Sequence, residues 1–197
     1  MSRGSPPAVY SHWVTAPRLR RTVVVGCGGS GKTTFARRLG ALLGSPVVHL
    51  DVVYRDSGRR PLPGDRFAAL QRELVASPRW VIEGDHTSTL PIRLRRADTV
   101  VFLDLPPAVC LWGITRRLLG GAVRGRAGRR AQRAGVDDRI TWEFLRYVWS
   151  YRRRTAPRVR ELIAEHAGDA QVHVVPSRRA ADALLARLPV TPASRTP

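Results

Sequence analysis

Residues 26 to 33 read Gly-Cys-Gly-Gly-Ser-Gly-Lys-Thr, a complete G-x-x-x-x-G-K-[ST] octet. It follows the β-branched run Thr22-Val23-Val24-Val25 and precedes Thr34-Phe35-Ala36-Arg37-Arg38-Leu39, whose apolar spacing is helical. A strand that enters a glycine-rich turn and leaves as a helix is the setting in which this octet wraps a phosphate chain. Gly26, Gly28, Gly29, Ser30 and Gly31 would turn successive N–H groups inward, and side chains at the glycines would block that approach. The start of the helix adds a partial positive charge aimed at the same point. Lys32 supplies a point charge for the β and γ oxygens, and the Thr33 hydroxyl is placed to ligate Mg²⁺. The expected cofactors are therefore ATP and Mg²⁺, with Thr34 and Arg178 added to the candidate nucleotide-binding set.

Lys32 is the single lysine among the 34 lysine and arginine residues. Compositional drift toward arginine has spared this one position. A planar guanidinium is a poor replacement for a compact ammonium inside a phosphate loop, so the exception marks a functional constraint.

The chain has 197 residues, of which 43% are hydrophobic, enough for one domain with a sizeable core. No apolar run approaches the roughly 18 residues of a membrane span, and residues 1–21 lack the apolar segment of a signal peptide. A cytoplasmic protein without membrane association is expected, as monomer or homodimer. Cys27 and Cys110 have neither metal-ligand spacing nor a disulfide framework. Cys110 reads as a small core residue. The formal charge of +19 suggests nucleic acid. The arginines, however, are spread over nearly every segment, so nonspecific nucleic-acid affinity is expected more than a nucleic-acid substrate.

The patterning alternates between strand and helix. Strands are expected at 22–26, 47–50, 80–84, 99–104 and 171–175, and helices at 32–43, 65–76, 107–119, about 138–166 and 178–188. A turn-rich patch covers 56–64, an Arg/Gly stretch covers 120–135, and residues 1–21 and 189–197 read as a flexible leader and tail around one domain at 22–188. This alternation, with the octet, implies a five-stranded, mostly parallel sheet in a three-layer α/β/α sandwich of the P-loop NTPase type. In that architecture ligands gather beyond the carboxyl ends of the strands. The polar residues there are Asp51, Glu83 with Asp85, Asp104, and Arg178 after Ser177. Asp104 fits the pattern of an apolar run plus Asp that positions Mg²⁺, or it caps the next helix. Trp142, Leu145 and Trp149 fall at i, i+3 and i+7 and read as a core-facing stripe.

Several segments together resemble the adenylate-kinase-like branch of small P-loop kinases, and within it the topology modulation (FlaR-like) group. They are the octet, Pro46-Val-Val-His-Leu-Asp51, Trp80-Val-Ile-Glu-Gly-Asp85, Leu90 to Asp98 running into Thr99-Val-Val-Phe-Leu-Asp104, and Phe144 to Pro157. The resemblance spans about residues 22–188. It implies that Glu83 helps hold the Mg²⁺ water shell and that Asp51 faces an acceptor hydroxyl. It also implies an arginine soon after Gly84 to grip an acceptor phosphate. Here the chain departs from the pattern, with Asp85-His86-Thr87 instead, leaving Arg93, Arg95 or Arg96 as substitutes. The acceptor-binding segment is expected at about 52–76, and a mobile lid at about 116–135.

Arginines at 116, 117, 124, 126, 129, 130 and 133 would line that lid. Arg116 and Arg117 are the first candidates because the preceding helix fixes their direction, and Arg152 and Arg153 the second. The combined expectation is a kinase that passes the ATP γ-phosphoryl group to a small-molecule acceptor. Its candidate catalytic residues are Lys32, Asp51, Glu83, Asp85, Arg116 and Arg117, and Thr33 and Glu83 hold the metal. The alternative expectation is an ATP-switched nucleic-acid-binding protein affecting DNA topology or gene expression.

Overall fold

The computed structural model describes residues 19–55, 60–123 and 141–188. The leader up to residue 18, residues 56–59 of the turn-rich patch, positions 124–140 with most of the expected lid, and the tail from 189 lie outside the described residues. Five strands, β1 (Arg21–Gly26), β2 (Val47–His49), β3 (Trp80–Glu83), β4 (Thr99–Leu103) and β5 (Gln171–Val175), form one sheet in the order β2-β3-β1-β4-β5. Every pairing is parallel, with Val23 opposite Ile82 on one side and Val100 on the other. The expected α/β sandwich is the observed one.

The helices are α1 (Lys32–Leu43), α2 (Leu50–Val53), α3 (Gly64–Ala76), α4 (Leu90–Leu94), α5 (Pro107–Val123), α6 (Trp142–His166) and α7 (Arg178–Arg187). Central strands of a parallel sheet are covered on both faces and must be apolar throughout. Val23, Val24, Val25, Val81, Ile82, Val100 and Phe102 are accordingly buried. Burying each such side chain contributes about 1.5–3 kcal/mol before the entropy of ordering the chain is subtracted. Leu19 already belongs to the core, just ahead of β1.

Two short helices differ from the expected pattern. β2 stops at His49, and the chain coils into α2, so Asp51 stands in a helical turn. Leu50 drives this bend, being fully buried and pressed against Gly84, where an added Cβ would lie 2.8 Å from the Leu50 Cβ. α4 begins with Leu90-Pro91, proline being well tolerated in a first turn, and buries Leu90 and Leu94.

The expected stripe of Trp142, Leu145 and Trp149 is overturned. Trp142 is 74% and Trp149 62% exposed, while Val148 and Tyr151 are buried. Residues 144, 148 and 151 satisfy helical spacing equally well. Their face wins because the phosphate loop offers Phe144 a seat against Gly28.

Candidate functional site at the carboxyl edge of the sheet

The loop between β1 and α1 is shaped by backbone contacts that no side chain could share. Gly29 has φ +78, and a Cβ there would collide with the Cys110 carbonyl oxygen of α5. Gly28 lies under Phe144, whose ring tip would be 2.9 Å from an added Cβ. Ser30 N–H closes the turn onto the Cys27 carbonyl at 3.2 Å, and Gly31 opens the helix. Lys32 Nζ donates to the carbonyls of Gly26 (2.6 Å) and Cys27 (2.9 Å), which tethers the ammonium across the loop. Cys27 is buried beside Cys110, and that hydrogen-bonded contact together with burial pushes its thiol pKa up. Thr34 is exposed on the first turn of α1. Arg178, at the start of α7, donates to the Val109 carbonyl at 3.4 Å, in the stretch of α5 that touches the loop.

Glu83 ends β3, the neighbour of β1, and is nearly sealed from solvent. Its Oε1 accepts from Thr33 Oγ1 at 3.1 Å and lies 2.8 Å from His49 Nδ1. Its Oε2 is buried with no hydrogen-bond partner among the described residues. A hydroxyl and an orphaned carboxylate oxygen are the hard donors that suit Mg²⁺, which keeps most of its shell as water and phosphate oxygen. Among the described residues, no group of three or more His, Cys, Asp and Glu side chains that could hold a metal ion occurs.

Asp51 stands in the first turn of α2, just after β2, with His86 Nε2 3.1 Å from its Oδ1. That hydrogen bond is the main reason its pKa falls below the ordinary carboxylate value; burial opposes the shift and the Lys32 charge adds to it. The His86 ring packs with Tyr54 and Phe67 in a three-ring cluster, 4.9 Å from each between centroids. Asp85 is in a different situation. Its Oδ2 accepts from Tyr147 at 2.8 Å and its Oδ1 from Tyr151 at 3.0 Å, so both oxygens are occupied by α6. Burial, and then the Asp85 charge, raise both tyrosine pKa values far above the ordinary phenol range.

Asp104, the other Mg²⁺ candidate, is buried in ion pairs with Arg152 Nε (3.1 Å) and Arg160 Nη2 (2.5 Å). Both of its carboxylate oxygens are therefore engaged by arginines of α6. Arg116 and Arg117 are exposed toward the end of α5. His49, His86, Tyr147 and Tyr151 are the site residues that motif reasoning did not assign. A polar residue at a strand end was the available signal for His49. The tyrosines gave none, because their Asp85 partner is more than sixty positions away.

No family model matches the chain, and no curated protein does. Solved structures do match in fold. The shikimate kinase from Acinetobacter baumannii, in complex with shikimate, aligns with a TM-score of 0.58 at 18% identity, over 87% of this chain and 91% of that one. A gluconokinase from Sinorhizobium meliloti aligns with a TM-score of 0.41 at 18% identity, over 86% and 93%. The chain therefore shares its fold with the Acinetobacter shikimate kinase.

Proposed function

We propose that this protein transfers the γ-phosphoryl group of ATP, with Mg²⁺, to a hydroxyl of a small acceptor. One observation carries the reading. Three neighbouring strand ends bring together a phosphate loop with its lysine, a Thr33–Glu83 pair with a free carboxylate oxygen, and a carboxylate oriented by a histidine. The fold shared with the Acinetobacter kinase supports the same assignment.

Loop amides and Lys32 would hold the β and γ phosphates, Lys32 exchanging its two carbonyl contacts for phosphate oxygens. Thr33 and Glu83 would hold Mg²⁺, which when bound neutralises charge between those phosphates. Asp51 is the group placed to orient the acceptor hydroxyl and take its proton, since Asp85 is bound by two tyrosines. Arg116, Arg117 and the arginines of positions 124–135 would close over the transferring group. Closure of that kind contributes on the order of 10³-fold to rate. Arg178 would support the nucleotide side from behind the loop.

Within this reading, residues 52–76 bind the acceptor, and the finer kinship is with the topology modulation group on the residue set given above. We assign the protein to the cytoplasm.

The test is ADP release with Mg·ATP across nucleotides, nucleosides, sugars and hydroxy acids, beside Lys32→Ala. Acceptor-dependent release that the variant loses is the expected result. Slow acceptor-independent release, or release stimulated only by nucleic acid, would transfer the assignment to a nucleotide-switched nucleic-acid binder, and no transfer to any member of the panel would reject the phosphotransferase reading.

A further inference from the structure

Trp142, Arg146, Trp149 and Arg153 follow one another along α6 at helical spacing. With about 100° per residue, the four positions fall within an arc of about 60° on the helix surface. All four side chains are exposed, Trp142 by 74% and Trp149 by 62%. Large rings grouped on one solvent-facing row mark a binding surface more than an ordinary wet helix face. The opposite face is already committed, with Phe144 seated on Gly28 and with Val148 and Tyr151 buried. The row is therefore held in a fixed direction.

The cations in the row are unspent. Among the described residues neither Arg146 nor Arg153 makes an ion pair or a side-chain hydrogen bond, whereas Arg152 and Arg160 of the same helix are held by Asp104 and Arg158 by Glu161. Between Trp142 and Arg160 the one acidic residue is Glu143, which points about 100° away from Trp142 around the helix. A rise of about 1.5 Å per residue sets the two indoles about 10 Å apart along α6, with a guanidinium about 6 Å beyond each. Flat rings alternating with cations are the complement of a chain that alternates flat bases with phosphates.

We propose that this face of α6 binds single-stranded RNA, with bases stacked on Trp142 and Trp149 and phosphates paired with Arg146 and Arg153. Arg153, second in line for the lid on sequence position, is thereby assigned to the row. Stacking needs open base faces, which the unpaired loops and ends of RNA offer and a duplex hides. A second copy of this chain is a poor occupant, because it would set one row of guanidinium groups against another. The formal charge of +19 draws any polyanion, but that attraction fades with salt, and the two rings add a contribution that does not. The inference goes beyond the phosphotransferase reading and does not rest on it.

The experiment follows the fluorescence anisotropy of labelled oligouridylate of about twenty nucleotides on adding the full chain, beside oligothymidylate and an RNA duplex of equal length. At about 0.3 M salt, where charge attraction is weakened, wild type is expected to bind oligouridylate at least as tightly as oligothymidylate and more tightly than the duplex. Trp142→Ala and Trp149→Ala should each weaken binding by about 5-fold or more with the salt slope unchanged, and Trp149→Phe should keep most of the affinity. Arg146→Ala should reduce the salt slope by about 0.7, and Arg37→Ala, at an exposed position on α1, should leave it as it is. Wild-type affinity in both Trp→Ala variants, or equal losses in Arg146→Ala and Arg37→Ala, would reduce the binding to diffuse charge and overturn the proposal. Tighter binding of the duplex or of oligothymidylate overturns it as well. A Trp149→Ala chain that melts well below wild type assigns the ring to the scaffold, and a wild-type dimer that Trp149→Ala converts to monomer assigns the face to a second copy; either result also overturns it.

Discussion

His86 Nε2 stands 3.1 Å from Asp51 Oδ1, joining α2, which follows β2, to the loop that leaves β3. The ring cannot swing away easily because Tyr54 and Phe67 pack on it. Asp51 is thereby held in one orientation and its ionised form is favoured. His86→Ala should lower acceptor-dependent kcat by about 10–100-fold while leaving the nucleotide KM unchanged. The Asp51 pKa, read by carboxyl NMR, should rise toward its ordinary value of 3.8. The sign of the stability effect follows. A carboxylate with a depressed folded pKa contributes stability that is complete above its unfolded pKa and is lost as pH falls through the folded one. Acid unfolding of His86→Ala should therefore lose that contribution, giving a flatter fall in Tm below about pH 4. An unchanged Asp51 titration would separate the two residues.

Lys32→Arg tests whether the one retained lysine is chemical necessity. The Lys32 ammonium fits between the Gly26 and Cys27 carbonyls, a span that a planar fork does not match. Turnover should fall by about 100-fold or more, with Tm in the absence of nucleotide close to wild type. Near-normal turnover in Lys32→Arg would make the exception an accident of composition.

Glu83→Gln and Thr33→Val address the metal. Removing the negative charge at Glu83, or the hydroxyl at Thr33, should raise the Mg²⁺ concentration for half-maximal turnover by about 10-fold. Both changes act on one bonded pair, so their effects should be less than additive in the double variant. Strictly additive effects in a Mg²⁺ titration would contradict a shared site.

Tyr151→Phe and Trp149→Ala separate two faces of one helix. Tyr151 is buried and donates to Asp85, and losing that hydroxyl should cost about 1–3 kcal/mol in urea unfolding. Trp149 is 62% exposed, and its removal should change stability by less than about 0.5 kcal/mol. A larger loss at Trp149 than at Tyr151 would reverse this assignment of the helix faces.

The octet, the five strands and most of the helices were legible in the sequence because each is a local pattern: a loop at fixed spacing, short runs rich in valine and other apolar residues, a 3.6-residue period. Lys32, Thr33, Asp51 and Glu83 could be named as candidates for the same reason, standing at motif positions or at or just beyond strand ends. Helix face and side-chain pairing were not. Period alone allowed Trp142, Leu145 and Trp149 to turn inward as readily as Phe144, Val148 and Tyr151, and the glycine loop beneath Phe144 decided between them. Asp51 and Asp85 looked equivalent in sequence until two tyrosines from α6 occupied one of them and a histidine aligned the other. Asp104 could be read in the sequence as a metal ligand or a helix cap, and nothing there foretold its ion pairs with Arg152 and Arg160 of the same distant helix. Local periodicity thus determined the sheet and the phosphate loop. The identity of each carboxylate's partner depended on contacts between residues far apart in the chain, and only the packing of α3, α4 and α6 around the strand ends decided it.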